Sequence, residues 1–196
     1  MFANFYSGKR VFVTGHTGFK GSWLSLWLKN LGATVFGFSL APTTDPNLYQ
    51  VIRPFAVAKE VIEDIRDLTR LKSSIEQFEP EIIFHLAAQP LVRQSYREPL
   101  ATFQTNALGT ANLLEAIRQL ELPCPVVVVT TDKCYENHAW SFAYRECDAL
   151  GGHDIYSISK ASAELVVQGW RRSFFSVNSQ LGNLASARAG NVIGGG

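Results

Sequence analysis

Pro125-Val126-Val127-Val128-Val129-Thr130 limits what this chain can fold into more than any other segment. Side chains branched at Cβ are stiff at χ1 and favour extended backbone, so this valine run reads as a strand. A strand with one wet face alternates apolar and polar residues. This one does not, which predicts burial on both faces and hence a parallel sheet with helices on either side. The rest of the chain repeats the pattern. Strands are predicted over residues 9–14, 33–38 and 81–86, within the apolar run 56–62, and over 182–187. Helices are predicted from Trp23-Leu24-Ser25-Leu26-Trp27-Leu28 to about Asn30-Leu31-Gly32, and over residues 68–78, 99–120 and 157–174. Residues 40–48, rich in proline and threonine, read as a loop.

Strands alternating with helices define an α/β fold of the Rossmann type, a doubly wound parallel sheet with helices on both faces. A length of 196 residues suits one domain, and 46% apolar content with 18% charge excludes a disordered chain. A net charge of +1 gives no electrostatic basis for a nucleic-acid or membrane partner. Residues 1–8 lack the apolar run of a signal peptide, and no later stretch is long and apolar enough to span a bilayer. Cys124, Cys134 and Cys147 have no zinc-like spacing, so they read as reduced packing residues in a cytoplasmic setting, and no metal is expected. The chain stops at Gly194-Gly195-Gly196, which reads as the middle of a loop, and no second domain is expected within it.

Thr14-Gly15-His16-Thr17-Gly18-Phe19-Lys20-Gly21 joins the first strand to the first helix. Glycines at this spacing allow a tight turn, let a pyrophosphate approach the backbone, and leave helix N–H groups facing negative charge. The end of the second strand, Phe38-Ser39-Leu40-Ala41, carries neither the acid that marks NAD nor an arginine cluster that marks NADP. Asp64, past the third strand, is placed either to accept from an adenine amino group or to cap the following helix.

Tyr156 and Lys160 are four residues apart and share a helix face. An ammonium and an oxidised nicotinamide nearby favour the phenolate, which predicts a lowered tyrosine pKa and a base for a hydroxyl proton. Thr131, Asp132 and Lys133 follow the valine strand, at the edge where open α/β sheets bind ligands. Thr131 suits a hydrogen bond to a substrate hydroxyl, while Asp132 and Lys133 put an acid and a cation at the mouth of the site.

Together these strings resemble the extended short-chain dehydrogenase/reductase superfamily over essentially the whole chain. The glycine turn through Leu24, His85-Leu86-Ala87-Ala88-Gln89-Pro90-Leu91-Val92-Arg93, Thr131-Asp132-Lys133-Cys134-Tyr135-Glu136-Asn137 and Arg188-Ala189-Gly190-Asn191-Val192-Ile193-Gly194-Gly195-Gly196 are similar to the CDP-glucose 4,6-dehydratase family. The resemblance implies a bound NAD, reduced and reoxidised in each turnover, and a nucleotide-sugar partner, CDP-glucose. It implies that Tyr156 takes the C4 hydroxyl proton with help from Thr131, that Asp132 protonates the departing C6 hydroxyl, and that Lys160 joins the catalytic set. Cofactor contacts are implied for Gly15, Thr17, Gly18, Phe19 and Gly21 at the turn. Asp64 and Ile65, Leu86, Ala87, Ala88 and Gln89, and Thr105 complete them with Tyr156 and Lys160. Arg93 and Asn191 are implied to bind substrate. Asn106 reads as structural.

Related dTDP-glucose enzymes carry Thr-Asp-Glu where this chain has Thr131-Asp132-Lys133. Lys133 is therefore either the C5 base, with a lowered pKa, or a cation stabilising an enolate. The resemblance also implies that residues 1–196 hold the cofactor site and catalytic residues while the family's C-terminal substrate region is largely absent, so this portion alone is not expected to turn over. A nucleotide-sugar epimerase and a non-catalytic dinucleotide-binding module are the alternative functions. A homodimer or higher homo-oligomer is implied through helices 99–120 and 157–174, although Leu113, Leu114, Ile117, Leu165 and Val166 there could equally cover the sheet.

Overall fold

A computed structural model describes residues 2–195; Met1 and Gly196, the two ends of the expected domain, lie outside the described residues. The strands are β1 (Arg10–Thr14), β2 (Thr34–Ser39), β3 (Lys59–Ile62), β4 (Ile82–His85), β5 (Val126–Val129) and β6 (Leu184–Ala187). They form one wholly parallel sheet in the order 3-2-1-4-5-6. The chain starts at the centre, builds outward to β3, then returns to add β4, β5 and β6 on the other side. The reversal leaves a crevice beyond the C-terminal ends of β1 and β4, where open sheets of this kind take their ligands.

Alternation along β1 divides the core. Phe12 stacks on Phe36 of β2 and packs with Ile83, Val126 and Val128 on one face. Val11 and Val13 point the other way, with Val35, Ile82 and Leu28. The first face is covered by α3 (Leu68–Phe78), α6 (Gly109–Gln119) and α7 (Ile155–Trp170). The second is covered by α1 (Phe19–Asn30), which packs on β1 and β2 and does not extend over β5. Val127 and Val129 are consequently only half-buried, so the expected enclosure of the valine strand on both faces is met on one face only, that of Val126 and Val128.

Two helices were not expected. α2 (Leu48–Ala56) follows the proline-rich loop, is capped by the Asn47 side chain accepting from Gln50 N at 2.9 Å, and tolerates Pro54 in its last turn. α4 (Val92–Arg97) is a short polar helix. The predicted helix 99–120 is divided into α5 (Pro99–Phe103) and α6 by a π-helical turn, Gln104–Leu108. α7 begins at Ile155, where Asp154 accepts from the backbone N–H and hydroxyl of Ser157, and ends in a second π turn, Arg171–Phe175. Leu113, Leu114 and Ile117 are fully buried and cover the sheet, while Leu165 stays exposed. No helix among the described residues is long and apolar enough to cross a membrane.

Gly37 in β2 lies directly beneath the fully buried imidazole of His16, and a Cβ added there would sit 2.5 Å from the ring. Gly37→Ala is expected to cost about 1–3 kcal/mol. Urea unfolding would show it as a lower midpoint at unchanged slope.

Candidate active site

The turn between β1 and α1 is built by close approach. Gly15 has φ +74°, and a Cβ on it would lie 2.6 Å from the Ala87 nitrogen and 2.7 Å from the Leu86 carbonyl carbon. At Gly21 an added Cβ would lie 2.0 Å from the Gly15 oxygen, so helix and turn touch through bare backbone. Gly18 differs: it is exposed, and its nearest neighbour would be the Gly15 oxygen at 3.4 Å. No side chain caps α1, and no protein acceptor for the N–H groups of Phe19, Lys20 or Gly21 is found among the described residues. Donors at a helix N-terminus with a bare glycine in front of them form a cradle for an anion. Thr17 faces inward, its hydroxyl 2.9 Å from the Ser39 hydroxyl and donating to Leu40 O at 2.8 Å, which ties the turn to the end of β2.

Beyond β3, Asp64 lies in an open depression with Arg66, Asp67, Gln104 and Asn112. The cap of α3 is Asp67, which accepts from Arg70 N at 2.9 Å. Asp64 accepts instead from the backbone and guanidinium of Arg66, and the Arg66 hydrogen bond holds its carboxyl below the usual range. The capping alternative for Asp64 is thereby overturned, because capping falls to the residue next to the helix. Ile65 is a core residue, 4% exposed, packed against Gly109, so its side chain does not face the depression. Thr105 is half-buried in the π turn.

On the other side of the switch point, the β5 strand delivers Thr131, Asp132 and Lys133. Thr131 donates to Asp132 Oδ1 at 3.1 Å and accepts from Lys133 N at 3.3 Å, starting a single 3₁₀ turn that leaves both charged side chains exposed. Tyr156 and Lys160 are each 8% exposed. Lys160 Nζ donates to Val129 O at 3.4 Å, and burial first, then the like charge of Lys20, pulls it down to about 8. Tyr156 departs from expectation. Burial pushes its phenol up, the Thr131 hydroxyl opposes this by a hydrogen bond, and Asp132 and Asp154 add to the rise. Desolvation outweighs the lowering influence of Thr131 in the chain as it stands.

The segment after β6 spans the two halves. Asp132 N donates to Ala189 O at 3.1 Å, and Trp23 Nε1 on α1 donates to Gly195 O at 2.8 Å, so exposed Asn191 lies between the acid and the glycine turn. Exposed Arg93 lies on α4, which packs on α7. Leu86, Ala87, Ala88 and Gln89 leave β4 in the centre, with Gln89 N held by Asn106 Oδ1 at 2.8 Å. Asp64 and Ile65 stand apart from the group at Thr131, four strand positions or roughly 19 Å across the sheet.

Sequence reasoning missed Glu164, one helical turn after Lys160. It is 1% exposed and accepts from Thr130, from Ser186 at 2.9 Å and from Arg188 at 3.0 Å. Burial would raise its carboxyl, yet these donors hold it below its ordinary value. An acid at i+4 from Lys160, on the same face, was the available signal.

An open parallel sheet with an uncapped glycine turn after β1 and a buried Tyr–Lys pair on the helix after β5 is the architecture of the short-chain dehydrogenase/reductase class. Residues 12–193 match the GDP-mannose 4,6 dehydratase family, and the chain belongs to that family. It is 54% identical to the CDP-glucose 4,6-dehydratase of Salmonella typhimurium, over 98% of this chain and 55% of that protein's length. It is 30% identical to the CDP-paratose 2-epimerase of Salmonella typhi, over 84% of this chain and 54% of that protein. A crystal structure of UDP-glucose 4-epimerase from Brucella ovis in complex with NAD has the same fold, with a TM-score of 0.75 at 22% identity, covering 92% of this chain and 51% of the other. The chain thus spans about half the length of the relatives it matches.

The two glycines of the cradle should separate. Gly15→Ala forces a left-handed residue against backbone and is expected to destabilise the fold. Gly18→Ala should leave thermal stability within about 0.5 kcal/mol while weakening dinucleotide binding about tenfold or more, read by titration with NAD. Lys160 gives a prediction with the opposite sign to most core changes. Its folded pKa of about 8 is below the unfolded value of 10.5, so the unfolded chain holds more protons between those limits. The penalty is full below about 8 and gone above about 10.5. Lys160→Met should therefore be more stable than the parent at pH 7, by about 1–3 kcal/mol, and the advantage should vanish by pH 10.5. Denaturation at the two pH values checks it.

Proposed function

We propose that these residues are the cofactor-binding and catalytic portion of a CDP-glucose 4,6-dehydratase, a hydro-lyase that uses NAD. The observation that carries the reading is 54% identity maintained over 98% of the chain to a relative of that activity. The cradle of uncapped N–H groups and bare glycine suits a dinucleotide pyrophosphate, with the N–H groups of Phe19, Lys20 and Gly21 and the backbone at Gly15 and Gly18 as its contacts. Asp64 and the backbone beside Ile65 would meet the adenine end. Leu86 to Gln89, Thr105 and Lys160 would meet the nicotinamide half. NAD held there would supply the hydride acceptor needed to oxidise sugar C4 and the hydride donor needed at C6.

The chain's own residues handle protons. Tyr156 takes the proton of the C4 hydroxyl, and Thr131, whose hydroxyl favours the ionised phenol, holds the same oxygen. A phenol raised by burial needs added positive charge to ionise, and Lys160, buried close by with only a carbonyl partner, provides it. With C4 oxidised, the C5 proton becomes acidic. Exposed Lys133 acts at C5, and Asp132 protonates the departing C6 hydroxyl. Asn191 and Arg93 meet the substrate from the segment after β6 and from α4. The exposed side chains of Leu100, Leu108, Ile158 and Leu165 support self-association through α5–α7, and the three free cysteines support a reducing, cytoplasmic setting.

Incubation with CDP-glucose and NAD, followed by mass spectrometry, tests the reading. Loss of one water supports dehydration, whereas a product of unchanged mass would favour an epimerase. Tyr156→Phe is expected to lower turnover about 10²–10⁴-fold. Lys133→Met should suppress deuterium uptake at C5 in heavy water; uptake at the parental rate would remove Lys133 from that step.

A further inference from the structure

His85, the last residue of β4, is a buried imidazole that the proposed chemistry does not use. Its Nδ1 is 2.7 Å from Thr14 Oγ1 and its Nε2 is 3.0 Å from Thr110 Oγ1. The surroundings fix the direction of both bonds. Thr14 Oγ1 already receives the N–H groups of Leu86 and Ala87, each at 3.2 Å, so its own proton points to His85 Nδ1. A proton on Nδ1 would bring three donors onto two lone pairs. Thr110 donates to the Asn106 carbonyl at 2.7 Å, so its oxygen receives from His85 Nε2. The ring is therefore neutral with its hydrogen on Nε2. Burial, with Lys160 as the charged neighbour acting on it, supports the neutral form.

The path continues beyond Thr110. Asn106 lies in the π turn between α5 and α6, where the backbone ladder is shifted and Gly109 N–H reaches back to Gln104 O. Its side chain receives from Gln89 N at 2.8 Å and donates to Gln89 O at 3.1 Å and to Ser159 Oγ at 2.8 Å. Ser159 in turn donates to the Tyr156 carbonyl at 2.7 Å. A continuous chain of buried hydrogen bonds thus runs from the residue before Gly15 to the backbone of Tyr156.

We propose that His85, as the Nε2–H tautomer, is a positioning residue: it fastens the π turn to the strand bearing the glycine turn and, through Asn106 and Ser159, sets where Tyr156 sits. The proposal rests on Tyr156 being the base of the reading above only for its effect on turnover. π turns inside helices recur at functional sites, and here the irregular backbone is what lets Asn106 reach both Gln89 and α7.

Substitutions divide the network. His85→Gln keeps a nitrogen donor for Thr110 and loses the acceptor for Thr14; His85→Asn keeps that acceptor and cannot reach Thr110. Thr110→Val preserves shape and removes the link. The first measurement is ¹⁵N NMR of the imidazole in the parent chain, expected to show Nε2 protonated and Nδ1 bare; the reverse would overturn the proposal without any variant. The second is ultraviolet titration of the Tyr156 phenol, taken as the difference from Tyr156→Phe. His85→Asn and Thr110→Val should let water reach the phenol and move its titration down toward about 10, while His85→Gln stays near the parent. An unmoved phenol in both, or equal shifts in all three variants, would overturn the positioning role. In turnover, His85→Asn and Thr110→Val should lower kcat about tenfold or more at nearly unchanged KM for NAD, with His85→Gln within about threefold. If the phenol shifts as expected while the parent does not dehydrate CDP-glucose, the positioning role stands and the functional reading fails.

Discussion

The backbone at Gly15 lies so near that of Leu86 and Ala87 that no side-chain carbon fits between them, and the site depends on that contact. It holds the end of β1 against the end of β4, which are adjacent and parallel in the middle of the sheet. Thr14, one residue earlier, uses its carbonyl and hydroxyl to receive the N–H groups leaving β4. The glycine turn therefore starts from a fixed edge, α1 begins with its N–H groups directed into the crevice, and the segment carrying Gln89 leaves at a defined height. Close backbone approach is cheap for glycine and expensive for anything larger, so the geometry of the crevice is written into one residue's lack of a side chain.

Much of this arrangement was legible because strands in a parallel sheet are continuous apolar runs. Lys9 to Thr14, Ala33 to Phe38 and the valine strand all occur where their composition places them. Legibility failed where local signals compete. α2 follows a loop of prolines and threonines and holds Pro54, so composition argued against a helix that a cap at Asn47 and burial of Tyr49, Ile52 and Ala56 stabilise. The break between α5 and α6 went unread, because a π turn widens the helix by one residue without ending it. Asp64 was read as a possible cap of the helix that follows, and the path of the chain gives that place to Asp67 instead. The half-exposure of Val127 and Val129 was hidden for a related reason, since a strand's sequence does not say how far the covering helix extends.

Residue types of the site were readable, whereas their electrostatic states were not. Spacing put Tyr156 and Lys160 on one helical face, and they are there. Spacing carries no information on solvent, and solvent exclusion is what raises the phenol and lowers the ammonium. Two buried charges on α7, a turn apart, are treated in opposite ways. Glu164 is given three donors, one of them the Arg188 guanidinium, which also stacks on Tyr135 at 4.8 Å. Lys160 donates one long bond to a carbonyl. A fully paired charge is structural, since removing any partner strands the rest. A buried charge left short of partners is a strain the fold sustains, and such groups concentrate where chemistry needs them.

That contrast explains why the connection between the cofactor edge and α7 is made of neutral groups. An ionic link from β4 to α7 would pass close to Lys160 and either neutralise it or lower its pKa further, coupling the position of Tyr156 to every change of charge in the crevice. A chain of Thr14, His85, Thr110, Asn106 and Ser159 transmits position with fixed directions and no net charge. Its cost is that every member must be satisfied, since a half-paired buried network is worse than an apolar one. Each donor and acceptor of His85 has a partner, and the amide of Asn106 has three. The sheet edge supplies rigidity, the π turn supplies reach, and the neutral chain places no added charge beside Lys160.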